Sequence, residues 1–261
     1  MNIATKPPDP EWRARLETEW RIRCDLAALY RLIAHHRWTD FIYTHISARL
    51  PGPDHHFLIN KYGVNFHEMR ASDLVRIDLD GKVVEDSGKT ARDVNAAGFT
   101  IHSAIHMARP DLMCVVHTHS TAGIAVSAMK EGLLPLSQHA MKFHNRLAYH
   151  DYEGIALDLG ERGRLVRDLG GHKAMILRNH GLLVGGASIA EAFHQLYMLE
   201  RACAAQVAAL SCGRELIIPP ENVCQHASDQ FKSFEKDEAH YTMLWDAALR
   251  LIENGEPEYR T

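Results

Sequence analysis

The sequence lacks any paired-cysteine motif. Its five cysteines, Cys24, Cys114, Cys203, Cys212 and Cys224, are odd in number, widely spread and contain no C-x-x-C. That argues against a disulfide framework and for a reducing, cytoplasmic setting. No apolar run approaches the roughly 20 residues of a membrane span. The first residues, "MNIATKPPDPEW", carry no apolar stretch of the secretory-signal kind. There is no basic excess either: the formal net charge is -4. Neither nucleic acid nor an anionic membrane is therefore expected as a partner. Internal repeats and low-complexity blocks are absent. "SGKT" resembles the end of a phosphate loop, but Val83 stands where the first glycine belongs.

What is present is an ordinary globular composition, 46% hydrophobic and 24% charged. Residues 1–10 hold three prolines and read as a flexible arm. Residues 11–254 read as one domain, and residues 255–261 as a loose tail. Apolar spacing predicts a long helix over 11–36. Strands are expected at 41–50 and 56–60, with a hairpin around Asp80-Gly81. A helix over 95–108 is stopped by Pro110, and "DLMCVVH" is a buried strand. Ser120 caps a helix over 121–129. Residues 133–154 read as a loop, and 159–169 as a helix. "KAMILRNHGLLVGG" reads as strand, tight turn, strand. Helices over 187–210 and about 229–252 complete the order, an α/β sandwich with a central, largely antiparallel sheet.

The chain has 18 histidines, its one compositional oddity. In "MCVVHTHS", His117 and His119 stand at i and i+2 at a strand end, so both imidazoles share one face. In "RNHGLLVGG", His180 sits beside a glycine turn at the end of another apolar strand. Three imidazoles with open positions are a catalytic arrangement for zinc and similar ions. Neutral imidazole also suits manganese, iron, cobalt and nickel, so the ligands do not fix the metal. His102 and His106, at i and i+4 on a helix, are a competing pair whose plainer reading is an exposed or interfacial helix face. His35, His36, His55, His56 and His67 read as solvated.

Several stretches, in order, resemble the class II aldolase/adducin family: "YTHISARLPG", "FLINKYG", "NAAGFTIHSAIHMARPD", "VVHTHS", "LPLSQHA", "ILRNHGLLVGG" and "AFHQLYMLERAC". The resemblance covers about residues 20–210. It implies a three-layer α/β/α sandwich and a homotetramer with sites between subunits. It makes His117, His119 and His180 the ligands of one divalent metal ion, zinc in the sugar-phosphate aldolases. Three departures accompany it. Gly98 stands where those aldolases carry the acid/base glutamate. Thr44-His45, Tyr62-Gly63 and Ala96-Ala97 stand where they hold phosphate, with most of the hydroxyl and amide donors gone. His139 falls at the position of a catalytic tyrosine contributed across the subunit interface, and is the acid/base candidate.

These features imply a metal-dependent carbon–carbon lyase, aldolase or decarboxylase, acting on a non-phosphorylated small molecule. Loss of the glutamate shifts weight toward decarboxylation, which needs no base for a hydroxyl proton. His45 and Lys61 are candidate substrate contacts, and Arg109 and Arg178 are further cations that can anchor a carboxylate. Two alternatives stand beside this reading: an adducin-like cytoskeletal scaffold, to whose branch "THIS", "INKYG" and "NAAGF" look closer, and a mononuclear iron oxygenase on the same three histidines.

Overall fold

In the computed structural model, residues 10–85, 87–253 and 257–261 are described. The expected arm therefore lies almost wholly outside the described residues. Helix α1 (Pro10–His35) leads into β1 (His45–Arg49), β2 (Phe57–Ile59) and β3 (Val75–Ile77). Helix α2 (Ala96–Ala108), β4 (Cys114–Thr118) and α3 (Thr121–Ser127) follow, then α4 (Gln138–Met141) and β5 (Leu147–His150). The chain closes with α5 (Glu161–Leu169), β6 (Ala174–Leu177), β7 (Gly181–Gly186), α6 (Ile189–Ser211), α7 (Glu221–Phe234) and α8 (Glu238–Leu249).

The seven strands form one sheet in the order β3-β2-β1-β4-β7-β6-β5. Every named pairing is antiparallel except β5 with β6. Strand alternation divides the core between the two faces. Ile46, Ala48, Cys114 and Val116 point to the face covered by α1 and α6, where Leu29, Ile33, Leu196 and Leu199 meet them. Val115, Met175 and Leu183 point the other way, against Ile101 and Ile105 of α2 and Leu165 and Leu169 of α5. This is the expected three-layer α/β/α sandwich. His45, Ser47 and His117 share the parity of Val115 through the β1–β4 register. The chemistry therefore lies on the α2 side of the sheet.

Helix starts are set locally. Asn95 Oδ1 accepts from the backbone N–H of Ala97 and Gly98 at the head of α2. Ser120 Oγ accepts from Gly123 at the head of α3, as the sequence indicates.

Four expectations change. The strand expected over 41–50 begins only at His45, because Phe41 is left-handed (φ 47°) and bends the chain. The stretch expected to be a loop over 133–154 contains α4 and β5. The helix expected over 229–252 is two helices, the second capped by Asp237. Pro257–Thr261 is not loose. Tyr259 is 2% exposed within the α1-side core, and the Ser72 N–H donates to the Thr261 carbonyl at 3.0 Å. Burying that aromatic ring offsets the cost of ordering the end of the chain.

Candidate metal centre

Two central strands deliver the three histidines. His117 lies in β4, and His119 follows one residue beyond the strand end. His180 sits in the turn between β6 and β7, whose sequence is suited to it. Asn179 is left-handed (φ 55°), a conformation asparagine tolerates. A Cβ at Gly181 would lie 2.3 Å from the Thr118 carbonyl oxygen. Only glycine lets this turn approach the end of β4 so closely.

One ring nitrogen from each of His117, His119 and His180 lies within 4.8 Å of the other two. Outer partners orient two of the rings. His117 Nδ1 donates to the Leu182 carbonyl at 2.9 Å. His119 Nδ1 donates to the Asp40 carboxylate at 2.9 Å. Neither a carbonyl nor a carboxylate can return a proton, so the ring N–H must sit on Nδ1 in both. The two Nε2 atoms face each other 2.8 Å apart and, with each ring holding its one N–H on Nδ1, are the atoms free to bind a cation. Burial, followed by the neighbouring His180, holds His117 well below the ordinary imidazole range. Burial, followed by His119 and His150, lowers His180 to about 4. Both stay neutral near pH 7, the form a metal requires. Two Nε2 atoms aimed at one point beside His180, on rings oriented by a carbonyl and a carboxylate, fit a divalent cation.

The cluster opens into a cavity of about 710 Å³ that His45, Tyr62, Arg92 and Tyr152 also line. Arg92 is the one lysine or arginine among the lining residues. Lys61 is not among them and pairs with Asp93 at 3.8 Å. Arg109 is held by Asp111 and by the Gly170 and His172 carbonyls. Arg178 donates to the Met129 carbonyl and stacks on Tyr149. Both are structural. His139 lies on α4 and does not line the cavity within one chain.

His102 and His106 do not lie on an exposed face. Both are buried against β1, where His102 meets His45 and both meet Ser47. His36 is not simply solvated either, since it stacks on Trp38 with centroids 4.5 Å apart.

Two contributors carried no sequence signal. Asp40 lies in the connection before β1. Glu200 lies within α6, buried, and accepts from Thr118 Oγ1 at 2.8 Å and Ser120 Oγ at 2.5 Å. Those hydroxyls flank His119, so Glu200 clamps the backbone that presents it. Burial pushes this carboxyl up to about 7, against the two hydroxyl donors.

Comparison with known proteins agrees with this architecture. Residues 24–207 match the family model described as "Class II Aldolase and Adducin N-terminal domain". A "Putative aldolase class 2 protein" of Caulobacter vibrioides is 59% identical over 244 residues, 93% of each chain. Rat alpha-adducin is 48% identical over 191 residues, 73% of this chain but 26% of that one. The solved structure of an L-fuculose 1-phosphate aldolase from Glaciozyma antarctica superposes with a TM-score of 0.79 at 29% identity, covering 98% of this chain and 97% of that one. The chain belongs to the class II aldolase and adducin N-terminal domain family.

Proposed function

We propose that the protein is a metal-dependent carbon–carbon lyase, of aldolase or decarboxylase type, for a non-phosphorylated hydroxy-keto or carboxylate substrate. The observation that carries this reading is the pair of Nε2 atoms of His117 and His119 facing each other at 2.8 Å beside His180. Zinc is the proposed ion, held by these three residues. When bound, such an ion supplies Lewis-acid polarisation of a substrate carbonyl and its neighbouring oxygen.

The cavity favours a substrate without phosphate. The first free N–H groups of α2 are satisfied by Asn95, so the helix head offers a phosphate few donors. Arg92 supplies one exposed cation at the wall, enough to pair with a carboxylate. His139 is the proposed acid/base, reaching the site from a neighbouring subunit of a homotetramer. The exposed apolar side chains Tyr43, Tyr152, Ile155 and Leu157 at the cavity wall support burial there by a second copy. All five cysteines are free thiols, which accords with a cytoplasmic location. No helix among the described residues is long and apolar enough to cross a membrane.

The test is a panel of hydroxy-keto acids and aromatic carboxylates, assayed for aldehyde or carbon dioxide release with zinc-loaded and chelator-treated protein. Chelator-sensitive release of either product supports the reading and separates aldolase from decarboxylase. A phosphorylated sugar as the one substrate turned over would contradict it. The identity to alpha-adducin favours a second reading, a non-catalytic scaffold. Protein that binds no metal would select that reading.

A further inference from the structure

On the α2 side of β1, three imidazoles and one hydroxyl form a continuous buried chain. His45 Nδ1 meets His102 Nε2 at 2.8 Å. His102 Nδ1 meets Ser47 Oγ, which in turn meets His106 Nε2 at 2.7 Å. None of the four residues is more than 2% exposed. Burial and the neighbouring His106 hold His102 well below the ordinary imidazole range, and burial with Arg49 lowers His106 to about 3. In such a chain each inner ring accepts at one nitrogen and donates at the other, so one N–H is counted for each ring.

The two ends of the chain differ. His106 Nδ1 is buried with no hydrogen-bond partner. The Leu112 carbonyl favours a proton there, yet it lies outside hydrogen-bond geometry. At the other end, His45 lines the cavity that holds His117, His119 and His180, and its Nε2 has no partner among the described residues.

Two proton orders use every polar hydrogen along the chain; a third, in which His102 and His106 both donate to Ser47, strands the buried hydroxyl proton, which has no other acceptor among the described residues. In the inward order His45 donates to His102, and the last N–H is stranded, buried, on His106. In the outward order His106 donates to Ser47, Ser47 to His102, and His102 to His45. That leaves a bare lone pair on His106 and an Nε2–H on His45. A stranded buried N–H costs more than a stranded lone pair, so the outward order wins.

A second feature fixes where this N–H stands. A Cβ at Gly98 would lie 2.6 Å from His45 Cδ2 and 2.8 Å from its Cγ. The ring of His45 thus occupies space that any side chain at position 98 would claim. β1, not α2, supplies the polar group on this wall of the cavity.

We propose that His45 is a substrate-contacting residue whose Nε2–H donates to the negative oxygen of a hydroxy-keto or carboxylate substrate. His102, Ser47 and His106 are positioning residues that hold its tautomer. The assignment rests on the lyase reading above. A neutral, fixed donor suits this role, because a preoriented N–H in a buried site stabilises a developing oxyanion without reorganising.

The test is a long-range proton–nitrogen spectrum of the zinc-loaded full chain labelled with ¹⁵N-histidine, in which the two ring tautomers are distinct. His45→Phe identifies the signal. The expected result is His45 as the Nε2–H tautomer. Ser47→Ala, which cuts the chain, is expected to convert it to a mixture of both tautomers at unchanged zinc content. A serine that merely fills space would leave the tautomer alone, and that result would overturn the relay. Calorimetric titration with glycolohydroxamate, a small enediolate mimic, is expected to show about tenfold weaker binding to His45→Phe. Zinc-loaded protein with His45 as the Nδ1–H tautomer, or with unchanged hydroxamate affinity in His45→Phe, overturns this assignment alone. Protein that takes up no zinc overturns the lyase reading and this assignment with it.

Discussion

His117 and His119 present their Nε2 atoms to each other across 2.8 Å, with both ring protons directed away to Leu182 and Asp40. When both rings are neutral no proton lies between the facing Nε2 atoms, and the contact gains nothing by itself. A cation at the same point converts a repulsive contact into two bonds. His180 approaches the same point from the β6–β7 turn.

Asp40 is expected to tune this centre without building it. Its carboxylate fixes the His119 ring and raises its basicity. Asp40→Asn keeps an acceptor but removes the charge, and Asp40→Ala removes both. Competition against a chromogenic chelator is expected to show zinc affinity falling about 10–100-fold in Asp40→Ala. The fall should be smaller in Asp40→Asn, with thermal stability little changed.

Gly181 is expected to be indispensable to the geometry. The Cβ of Gly181→Ala meets backbone, the Thr118 carbonyl oxygen, at 2.3 Å, and cannot be relieved by a rotamer change. Separation of β7 from the end of β4 should cost about 1–3 kcal/mol. Because Thr118 lies between two of the ligands, zinc binding should weaken in the same variant. Urea unfolding and zinc titration measure the two effects on one preparation.

Asn179 gives a paired control. Its left-handed backbone (φ 55°) is tolerated by asparagine and by glycine. Asn179→Ala is expected to lose about 1–2 kcal/mol, while Asn179→Gly stays within several tenths of a kcal/mol of the parent. Equal losses in both variants would mean that the side chain, not the dihedral angle, is what matters there.

Glu200 gives the protein a predictable pH response. Its carboxyl is raised by burial from 4.5 to about 7 in the folded chain. Below pH about 4.5 both folded and unfolded forms are protonated, and stability is unaffected. Between about 4.5 and about 7 the unfolded chain releases this proton and the folded chain keeps it. Stability therefore falls as pH rises across that window, by an amount on the order of 3 kcal/mol. Glu200→Gln keeps the hydrogen-bonding shape and removes the ionisation. Urea unfolding of chelator-treated protein at pH 5 and pH 8 should show the parent losing more stability than the variant. An identical loss in both would exclude Glu200 as the source.

The centre of the molecule was readable in the sequence because its elements are short apolar runs that end in ligands. "CVV" and "AMIL" are β-branched or apolar throughout, and they fall in β4 and β6. The asparagine and glycine around His180 announced a bend, which φ at Asn179 and the Thr118 contact explain. The edges were less legible. β5 is four residues long and finds its place through parallel pairing with β6, a nonlocal contact that no local pattern encodes. Phe41 and Tyr43 have strand-forming side chains, but both are exposed, and Phe41 turns left-handed.

The polar interior was hidden for a different reason. In β1, His45 and Ser47 alternate with Ile46 and Ala48. That reads as a strand with one wet face. On α2, His102 and His106 read as a wet helical stripe. The fold presses the two polar stripes together, so each supplies the other's hydrogen bonds. Asp40 and Glu200 lie 79 and 80 residues from the side chains they hold, and only the folded chain joins them.

The central claim is that His117, His119 and His180 hold one divalent metal ion. Its most direct test is elemental analysis of the purified protein after zinc loading and removal of free metal, with His117→Ala beside it. The account predicts close to one zinc per chain in the parent and loss of that zinc in the variant. A parent protein without stoichiometric metal, or a His117→Ala protein that retains it, would contradict the account.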